Sequence, residues 1–137
     1  MRLFNRDSND YEFKEKFVAG LALTGSDAKS LRTQGALFNG SKIEVINGVP
    51  TIFNLTIEPY KFAQSQLTDK TNERKLLLSS REIAKLISYR NQKYMIIPIS
   101  IFLQKRWFKV ELGVGRKLRK FEKREKIKQK EIKSSLL

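Results

Sequence analysis

Two pairs of apolar runs, each rich in β-branched and aromatic residues, restrict this chain to a largely β fold. In SKIEVINGVPTIFNLTI, residues 41–57, the runs flank an Asn-Gly pair at 47–48, the strongest short-range signal for a two-residue hairpin turn. In YMIIPISIFLQKRWFKVELGV, residues 94–114, they meet at the turn-like residues 104–106. Both segments therefore predict β-hairpins. Because proline cannot donate to a strand ladder, Pro50 predicts that its strand begins at an edge or just after a bulge.

One further strand, one helix and one loop are predicted outside the hairpins. The stretch YEFKEKFVAGLAL, residues 11–23, alternates partly before an apolar run, as a strand entering a core does. LSSREIAKLISYRN, residues 78–91, combines Ser79 and Glu82 as a capping box with helical apolar spacing, which predicts a helix. Residues 63–73 are polar and lack a period, which predicts a long exposed loop.

A second, shorter helix is predicted at SDAKSLRTQ, residues 26–34. It opens with Ser26 and Asp27 as candidate N-caps, because short polar side chains bind the free N–H groups of a first helical turn. Helical spacing places Lys29 and Arg32 on its exposed side. A curled all-β sheet with two helices thus accounts for the middle of the chain.

The charge balance indicates the class of partner. The chain has 28 Lys and Arg against 14 Asp and Glu, a net charge of +14. Such an excess opposes compact folding unless a polyanion neutralises it, so RNA, DNA or an anionic membrane is the expected partner. Neither an apolar run long enough to span a membrane nor a secretory signal core is visible, which predicts a soluble, intracellular protein in the cytoplasm or, if it is organelle-encoded, inside an organelle.

The absence of His and Cys disfavours catalysis and a structural zinc site. Without His the commonest general base is missing, as is every Ser-His or Cys-His nucleophile pair. The 14 acidic residues are scattered and form no DxD or ExxE group beside a glycine-rich loop. We therefore expect no catalytic residue, no metal and no cofactor.

The last part of the chain differs in composition from the rest. Residues 116–137 contain ten Lys or Arg and three Glu, a net charge of +7. On a helix, Leu118, Phe121 and Ile132 share one face while Ile127 points away, so the apolar stripe is poor. This predicts a helix-capable tail that does not enter the core.

Five segments occur in the order, and near the spacing, of one known family. They are AGLALTGSDAKSLR at 19–32, IEPY at 57–60, RKLLLSSREI at 74–83, WFKVELGV at 107–114 and EKREKIKQKE at 122–131. Together they resemble the SsrA-binding protein family, SmpB, the partner of transfer-messenger RNA in bacterial ribosome rescue. The likeness covers residues 5–132.

The resemblance implies a mainly β fold, an OB-like antiparallel β-barrel with two or three flanking helices. The barrel would occupy residues 11–114, after an N-terminal arm at 1–10 and before a basic tail at 115–137 that is disordered when free. In the family the barrel binds the tRNA-like domain of transfer-messenger RNA. The tail enters the empty mRNA channel of the small ribosomal subunit beside the decoding centre. The implied protein is a monomeric RNA-binding adaptor that needs no membrane.

Positions that match the family's motifs are the candidate RNA-binding residues. They are Asn5, Asp27, Lys29, Ser30, Arg32, Arg74 and Lys75. The helix edge around Asp27 is expected to face the RNA, and Arg74 and Lys75 to contact phosphate without base specificity. For this basic pair a salt bridge or a solvated pair is an equally good interpretation. Asp7 and Asp10 stand where the family has cations, which predicts weaker RNA binding by the arm.

A second set of matching positions lies in the tail and is expected to contact the ribosome. The set is Lys117, Phe121, Glu122, Lys123, Arg124, Lys128 and Ile132. Of these, Phe121 takes a position where the family has a His or an aromatic residue that can stack near the decoding bases.

Other interpretations stand beside the adaptor and its proposed sites. A catalytic nuclease-like barrel would need acidic residues that cluster in the fold. The aromatic residues Trp107 and Phe108 lie within apolar runs, which favours core packing over base stacking. A basic OB-like ribosomal or ribosome-assembly protein that binds rRNA would show the same charge, and its tail would be a nonspecific nucleic-acid arm. Binding at a membrane surface is disfavoured because the tail lacks a wide apolar face.

Overall fold

A computed structural model describes residues 2–57, 73–119, 122 and 124–128. Within these ranges the backbone forms nine strands, two α-helices and a short 3₁₀ helix, and residues 122 and 124–128 are also helical. The strands are β1 (Arg2–Phe4), β2 (Tyr11–Leu21), β3 (Ala36–Leu37), β4 (Lys42–Ile46), β5 (Val49–Phe53), β6 (Thr56–Ile57), β7 (Arg74–Leu77), β8 (Met95–Gln104) and β9 (Trp107–Lys117). The helices are the 3₁₀ helix Arg6–Asp10, α1 (Gly25–Gln34) and α2 (Ser80–Asn91).

Seven of these strands form one antiparallel sheet that closes on itself. The order is β1-β8-β4-β5-β7-β2-β9, and β8 also pairs with β9. Strands β8, β4, β5, β7, β2 and β9 therefore complete a barrel-like ring, to which β1 adds along part of β8. Strands β3 and β6 pair separately. The predicted fold class, mainly β and OB-like with flanking helices, is confirmed.

Both predicted hairpins are present with two-residue turns. In the first, Ile46 pairs with Val49 across Asn47 and Gly48, which both have positive φ, as a type I′ turn requires. In the second, residues 104 and 107 pair across a turn at 105–106. Pro50 pairs with β4, whereas the register of β5 with β7 starts one residue later, at 51. The proline thus lies at a locally unpaired edge.

Both predicted helices are present, but α1 is capped differently from the prediction. The hydroxyl of Thr24 accepts the backbone N–H of Asp27 at 3.1 Å, so Thr24 is the N-cap and neither Ser26 nor Asp27 is. This places Asp27 at the third helical position, where its carboxylate is available for another partner. The capping box of Ser79 and Glu82 in α2 is confirmed.

In the N-terminal segment predicted as an arm at 1–10, residues 2–4 add a strand to the sheet and residues 6–10 form the 3₁₀ helix. Strand β1 pairs with β8, and the backbone N–H of Asn5 donates to Ile99 at 2.8 Å. At the other end, β9 runs to Lys117, three residues beyond the boundary predicted at 114. Of the loop predicted at 63–73, only Glu73 lies within the described residues, and it is exposed.

The core fills the interior of the ring. It includes Phe17, Ile43, Ile52 and Ile101, all buried, together with Leu31 from α1. Every second side chain of β9 enters this core, since Phe108, Val110, Leu112 and Val114 are all buried.

Core packing was the wrong interpretation for Trp107, which is 72% exposed. For Phe108, which is 4% exposed, it is confirmed. Successive side chains of a strand point to opposite faces, so the two neighbours cannot both enter the core.

None of the helices in the described ranges is long and apolar enough to cross a membrane.

Candidate nucleic-acid interface

A buried ion pair joins α1 to β7. The Nε atom of Arg74 donates to Oδ2 of Asp27 at 3.1 Å, and the two residues are 7% and 8% exposed. Asp27, Ser30 and Leu31 are all buried, as positions i, i+3 and i+4 on the inner face of a helix are. Among the interpretations left open for Arg74, a phosphate contact, a salt bridge or a solvated pair, the structure shows the salt bridge.

Four of the seven candidate RNA-binding residues have buried side chains. They are Asn5, Asp27, Ser30 and Arg74. Direct contact of these side chains with RNA does not fit this burial, and two of them have an evident structural role in holding α1 on β7. The sequence pattern could not reveal this, because the pair joins residues 47 positions apart.

Asn5 holds the N-terminal segment against an irregularity in β8. Its Nδ2 donates to the carbonyl of Pro98 at 2.8 Å, and its side-chain oxygen accepts the N–H of Asp7 at 3.2 Å. The register of β8 with β9 shifts between Pro98 and Ser100, which leaves carbonyls there without ladder partners. The Nδ2 of Asn5 donates to one of these carbonyls, so the side-chain amide of Asn5 is already hydrogen-bonded within the fold.

The remaining barrel candidates are exposed cations. Lys29 and Arg32 lie on the outer side of α1, as predicted, and Lys75 is exposed on β7 beside the buried Arg74. The guanidinium of Arg32 lies 5.8 Å from the ring centre of Phe108, which orients it over the end of the barrel. The buried ion pair fixes α1 against β7, so the positions of these three charges relative to one another are set by the fold.

The root of the tail is attached to the barrel by Arg116. Its Nη2 donates to Glu12 at 2.9 Å and to Glu122 at 2.6 Å, and its Nη1 donates to the second oxygen of Glu122 at 3.1 Å. Glu122 also accepts the backbone N–H of Arg119 at 3.2 Å, which is half of a capping box. The hydrogen bond from Arg116, followed by that from Arg119, lowers the pKa of Glu122 to about 2.

Two further residues, Leu118 and Lys126, attach the start of the tail to the 3₁₀ helix and the first residue of β2. Leu118 is buried, and its N–H donates to the carbonyl of Asp10 at 2.8 Å. Lys126 donates to the carbonyls of Asn9 and Tyr11 at 3.5 and 3.2 Å. Residues 122 and 124–128 are helical; that the tail at 115–137 is disordered when free stays a prediction.

The tail candidates fall into three groups. Glu122 binds the barrel. The side chains of Lys117, Arg124 and Lys128 are exposed. Phe121, Lys123 and Ile132 lie outside the described residues.

Sequence reasoning missed Arg116, Glu12, Lys126 and the outward direction of Trp107. Arg116 and Glu12 meet through the pairing of β2 with β9, which brings together residues 104 positions apart. Lys126 binds the carbonyls of Asn9 and Tyr11 from the tail, and no local signal marks either contact. The outward direction of Trp107 could have been predicted from the sequence. Successive side chains of a strand point to opposite faces, so within WFKVELGV Trp107 and Phe108 cannot both enter the core. In the part of the chain that the structure describes, no cluster of three or more His, Cys, Asp or Glu could hold a metal ion.

Comparisons with known proteins show relatives along nearly the whole chain. The family model "SmpB protein" matches residues 4–136. An "SsrA-binding protein" of Geotalea uraniireducens is 39% identical over 125 residues, 90% of this chain and 83% of the relative. Another, of Geobacillus thermodenitrificans, is 38% identical over 90% of this chain and 80% of its own.

A solved structure has the same fold. It is described as "tmRNA-SmpB: a journey to the center of the bacterial ribosome", and it matches with a TM-score of 0.71 and 34% sequence identity. The match covers 92% of this chain and 94% of that one. The family suggested by the five sequence motifs is therefore the family found by whole-chain comparison, and this chain belongs to the SmpB protein family.

Proposed function

We propose that this protein is an RNA-binding adaptor for trans-translation. It binds the tRNA-like domain of transfer-messenger RNA and brings that RNA to stalled ribosomes, where its tail senses the empty mRNA channel of the small subunit. The observation that supports this most strongly is the match over 92% of the chain to a structure described as tmRNA-SmpB in the bacterial ribosome. The net charge of +14 suits an RNA partner.

The barrel's contribution to RNA binding is assigned to the exposed cations of α1 and β7. Lys29, Arg32 and Lys75 supply charge for phosphates, which gives affinity and register but no base specificity. Asp27 and Arg74 act as positioning residues, because their buried ion pair sets α1 against β7. Ser30 is buried on the inner face of the same helix, whereas Asn5 holds the N-terminal segment against β8.

The tail's contribution is assigned to its basic residues and to Phe121. Lys117, Arg124 and Lys128 are exposed and can replace counterions along ribosomal RNA. Lys123 would add a further charge of the same kind, whereas Phe121 would stack near the decoding bases and Ile132 would contact the channel wall. Glu122 instead attaches the first part of the tail to the barrel through Arg116.

The adaptor works by binding, as a monomer in the bacterial cytoplasm, and needs neither a cofactor nor a catalytic residue. Its charge supports the monomer, because two copies at +14 each repel one another. The ring with its N-terminal strand forms the RNA-binding unit. The tail, residues 115–137, forms the ribosome-sensing unit.

The test is binding to the tRNA-like domain of the organism's own transfer-messenger RNA, against an unrelated hairpin of equal length, across a salt series. The adaptor should prefer the cognate RNA, and the preference should persist as salt rises, because nonspecific counterion release is the most salt-sensitive part of binding. Equal binding to both RNAs, lost together as salt rises, would contradict the adaptor. That result would support the alternative, a basic OB-like protein that binds rRNA.

A further inference from the structure

We propose that the outer face of β1, β8 and β9 is a second RNA-binding site, which stacks unpaired bases on exposed aromatic rings. The site consists of Phe4, Phe102 and Trp107 with the cations Arg2 and Lys109, and we call it the outer platform. It lies on strands that carry none of the exposed barrel cations assigned to the tRNA-like domain. It requires only that the protein bind RNA with unpaired bases.

The strand register brings these five residues together on one face. Phe102 of β8 pairs with Arg2 of β1 on one side and with Lys109 of β9 on the other. Trp107 precedes Lys109 by two residues and so points the same way, and it lies diagonally across from Phe102. Diagonal neighbours in an antiparallel pair are within reach of aromatic side chains.

Two of the three rings of the platform are largely open to solvent, whereas Phe102 is partly buried. Trp107 is 72% exposed and Phe4 is 67% exposed. Single exposed apolar residues are ordinary, but a group of large rings on one sheet face marks an interaction surface. The alternation that buries Phe108 and Val110 holds Trp107 outward, so the ring cannot turn into the core without breaking the strand.

Cations stand among these rings. The guanidinium of Arg2 lies 4.4 Å from the ring centre of Phe102 and 6.0 Å from that of Phe4. The turn beside Trp107 carries Lys105 and Arg106, both exposed. Arg2 also lies 3.8 Å from Glu111, the one acid on the same face of β9.

Aromatic rings interleaved with cations fit single-stranded or looped RNA. Every base offers a π face for stacking, and the adjacent phosphates are neutralised by Lys and Arg. A second copy of this chain is a poor occupant, because it would bring another +14 of charge to a face that is already positive. The charge complementarity therefore favours RNA.

The test uses the fluorescence of Trp107, which is the only tryptophan of the chain. The full chain is titrated with a short single-stranded oligoadenylate and, separately, with a blunt RNA duplex of the same strand length. Stacking predicts strong quenching by the single strand and much weaker quenching by the duplex, whose bases are already stacked. Equal quenching by both, or none by the single strand, would overturn the proposal.

Variants separate stacking from general charge attraction. Trp107→Leu should weaken binding of the oligoadenylate about five-fold or more and leave duplex binding within about two-fold, whereas Trp107→Phe should retain most of the affinity. Val18→Ala is the matched control, because Val18 is 50% exposed on the neighbouring strand β2 but lies outside the platform. An equal loss for both RNAs with Trp107→Leu would contradict stacking.

Two further measurements separate base stacking on the outer platform from membrane binding and from the adaptor function. If anionic phospholipid vesicles shift the Trp107 emission to the blue and oligoadenylate does not, the face binds membrane and the proposal fails. If the unmodified protein shows no preference for the tRNA-like domain but its Trp107 fluorescence is quenched by oligoadenylate, the adaptor proposal fails and the outer platform stands.

Discussion

Arg116 and Glu122 form a two-bond ion pair between the last strand of the barrel and the first turn of the tail, at 2.6 and 3.1 Å. The same guanidinium binds Glu12 of β2 at 2.9 Å, so Arg116 connects the two strands that close the ring with the segment that leaves it. Glu122 was expected to contact the ribosome. In this structure its carboxylate is directed at the barrel.

The lowered pKa of Glu122 predicts how attachment of the tail depends on pH. Its pKa falls from an ordinary 4.5 to about 2, so the ion pair contributes its full stabilisation above pH 4.5. That contribution is lost as the pH falls toward 2, because protonation removes the negative charge. The carboxyl ¹³C shift of Glu122, followed by NMR, should titrate near pH 2.

Arg116→Gln is the control for this titration. Loss of the guanidinium should return the Glu122 midpoint toward 4.5, since the hydrogen bond from Arg116 is the largest cause of the shift. A midpoint near 4.5 in the unmodified protein would show that the pair does not form in solution.

Breaking the buried pair of Asp27 and Arg74 should destabilise the whole fold. Asp27→Ala leaves the Arg74 guanidinium buried without its partner, which costs about 3–5 kcal/mol in the free energy of unfolding. Urea unfolding measures this change. Lys75→Ala, at the exposed neighbour, should change the same quantity by less than about 0.5 kcal/mol. Similar losses from the two variants would rule out a special role for the pair.

Gly115 should not tolerate a side chain, for a reason visible only in the pairing of β2 with β9. A Cβ at this position would overlap the backbone carbonyl oxygen of Glu12, next to the register shift between Phe13 and Glu15. Gly115→Ala should therefore destabilise the protein by about 1–3 kcal/mol, measured as a fall in the unfolding midpoint.

Gly25→Ala provides the matched comparison. A Cβ at Gly25 would meet no atom within 4 Å, and alanine is the better helix former by up to about 1 kcal/mol. This variant should be as stable as the unmodified protein or more so. A loss equal to that of Gly115→Ala would refute the steric cause.

Removing the exposed cations of α1 and β7 should weaken binding of the tRNA-like domain. For Lys29→Ala, Arg32→Ala and Lys75→Ala, each lost phosphate contact should reduce the slope of log affinity against log salt by about one. Filter binding over a salt series measures both quantities. Arg81→Ala removes an exposed charge from α2 and should leave the cognate affinity largely unchanged. An equal effect from all four would indicate general charge attraction only.

Truncation after residue 119 should separate the two proposed activities. The barrel should still bind the tRNA-like domain and prefer it to an unrelated hairpin, but release of stalled ribosomes in a reconstituted translation assay should be lost. If the tail is only a nonspecific basic arm, its removal should instead lower the affinity for every RNA equally. Circular dichroism of the truncated chain is the control, and it should show that the β fold remains.

Local signals in the sequence were sufficient for the hairpins and helices. The Asn-Gly pair needs positive φ at both positions, and Asn47 and Gly48 have it. The spacing of Ser79 and Glu82 specifies a capping box by itself, because both partners lie within one helical turn. Motif order along the chain likewise predicted the family that the comparisons found.

The candidate site was predicted less well, because exposure depends on partners far away in the chain. Lys29 and Arg32 are exposed as predicted, whereas Asp27 and Arg74 neutralise each other in the interior. Nothing within a few residues of Asp27 indicates that a cation 47 positions later would lie 3.1 Å away. A motif match locates residues that matter to a family without showing whether they act on the surface or beneath it.

By itself, the sequence determined the element types, the two hairpin turns, the excess of positive charge and the family. These properties depend on backbone preferences over a few residues and on composition. The tertiary structure was needed to show which strands close the ring, that Asn5 binds the irregular part of β8 and that Arg116 holds the tail. Each of these depends on contacts between residues distant in the chain, whose geometry is set by how the strands pair and not by local preference.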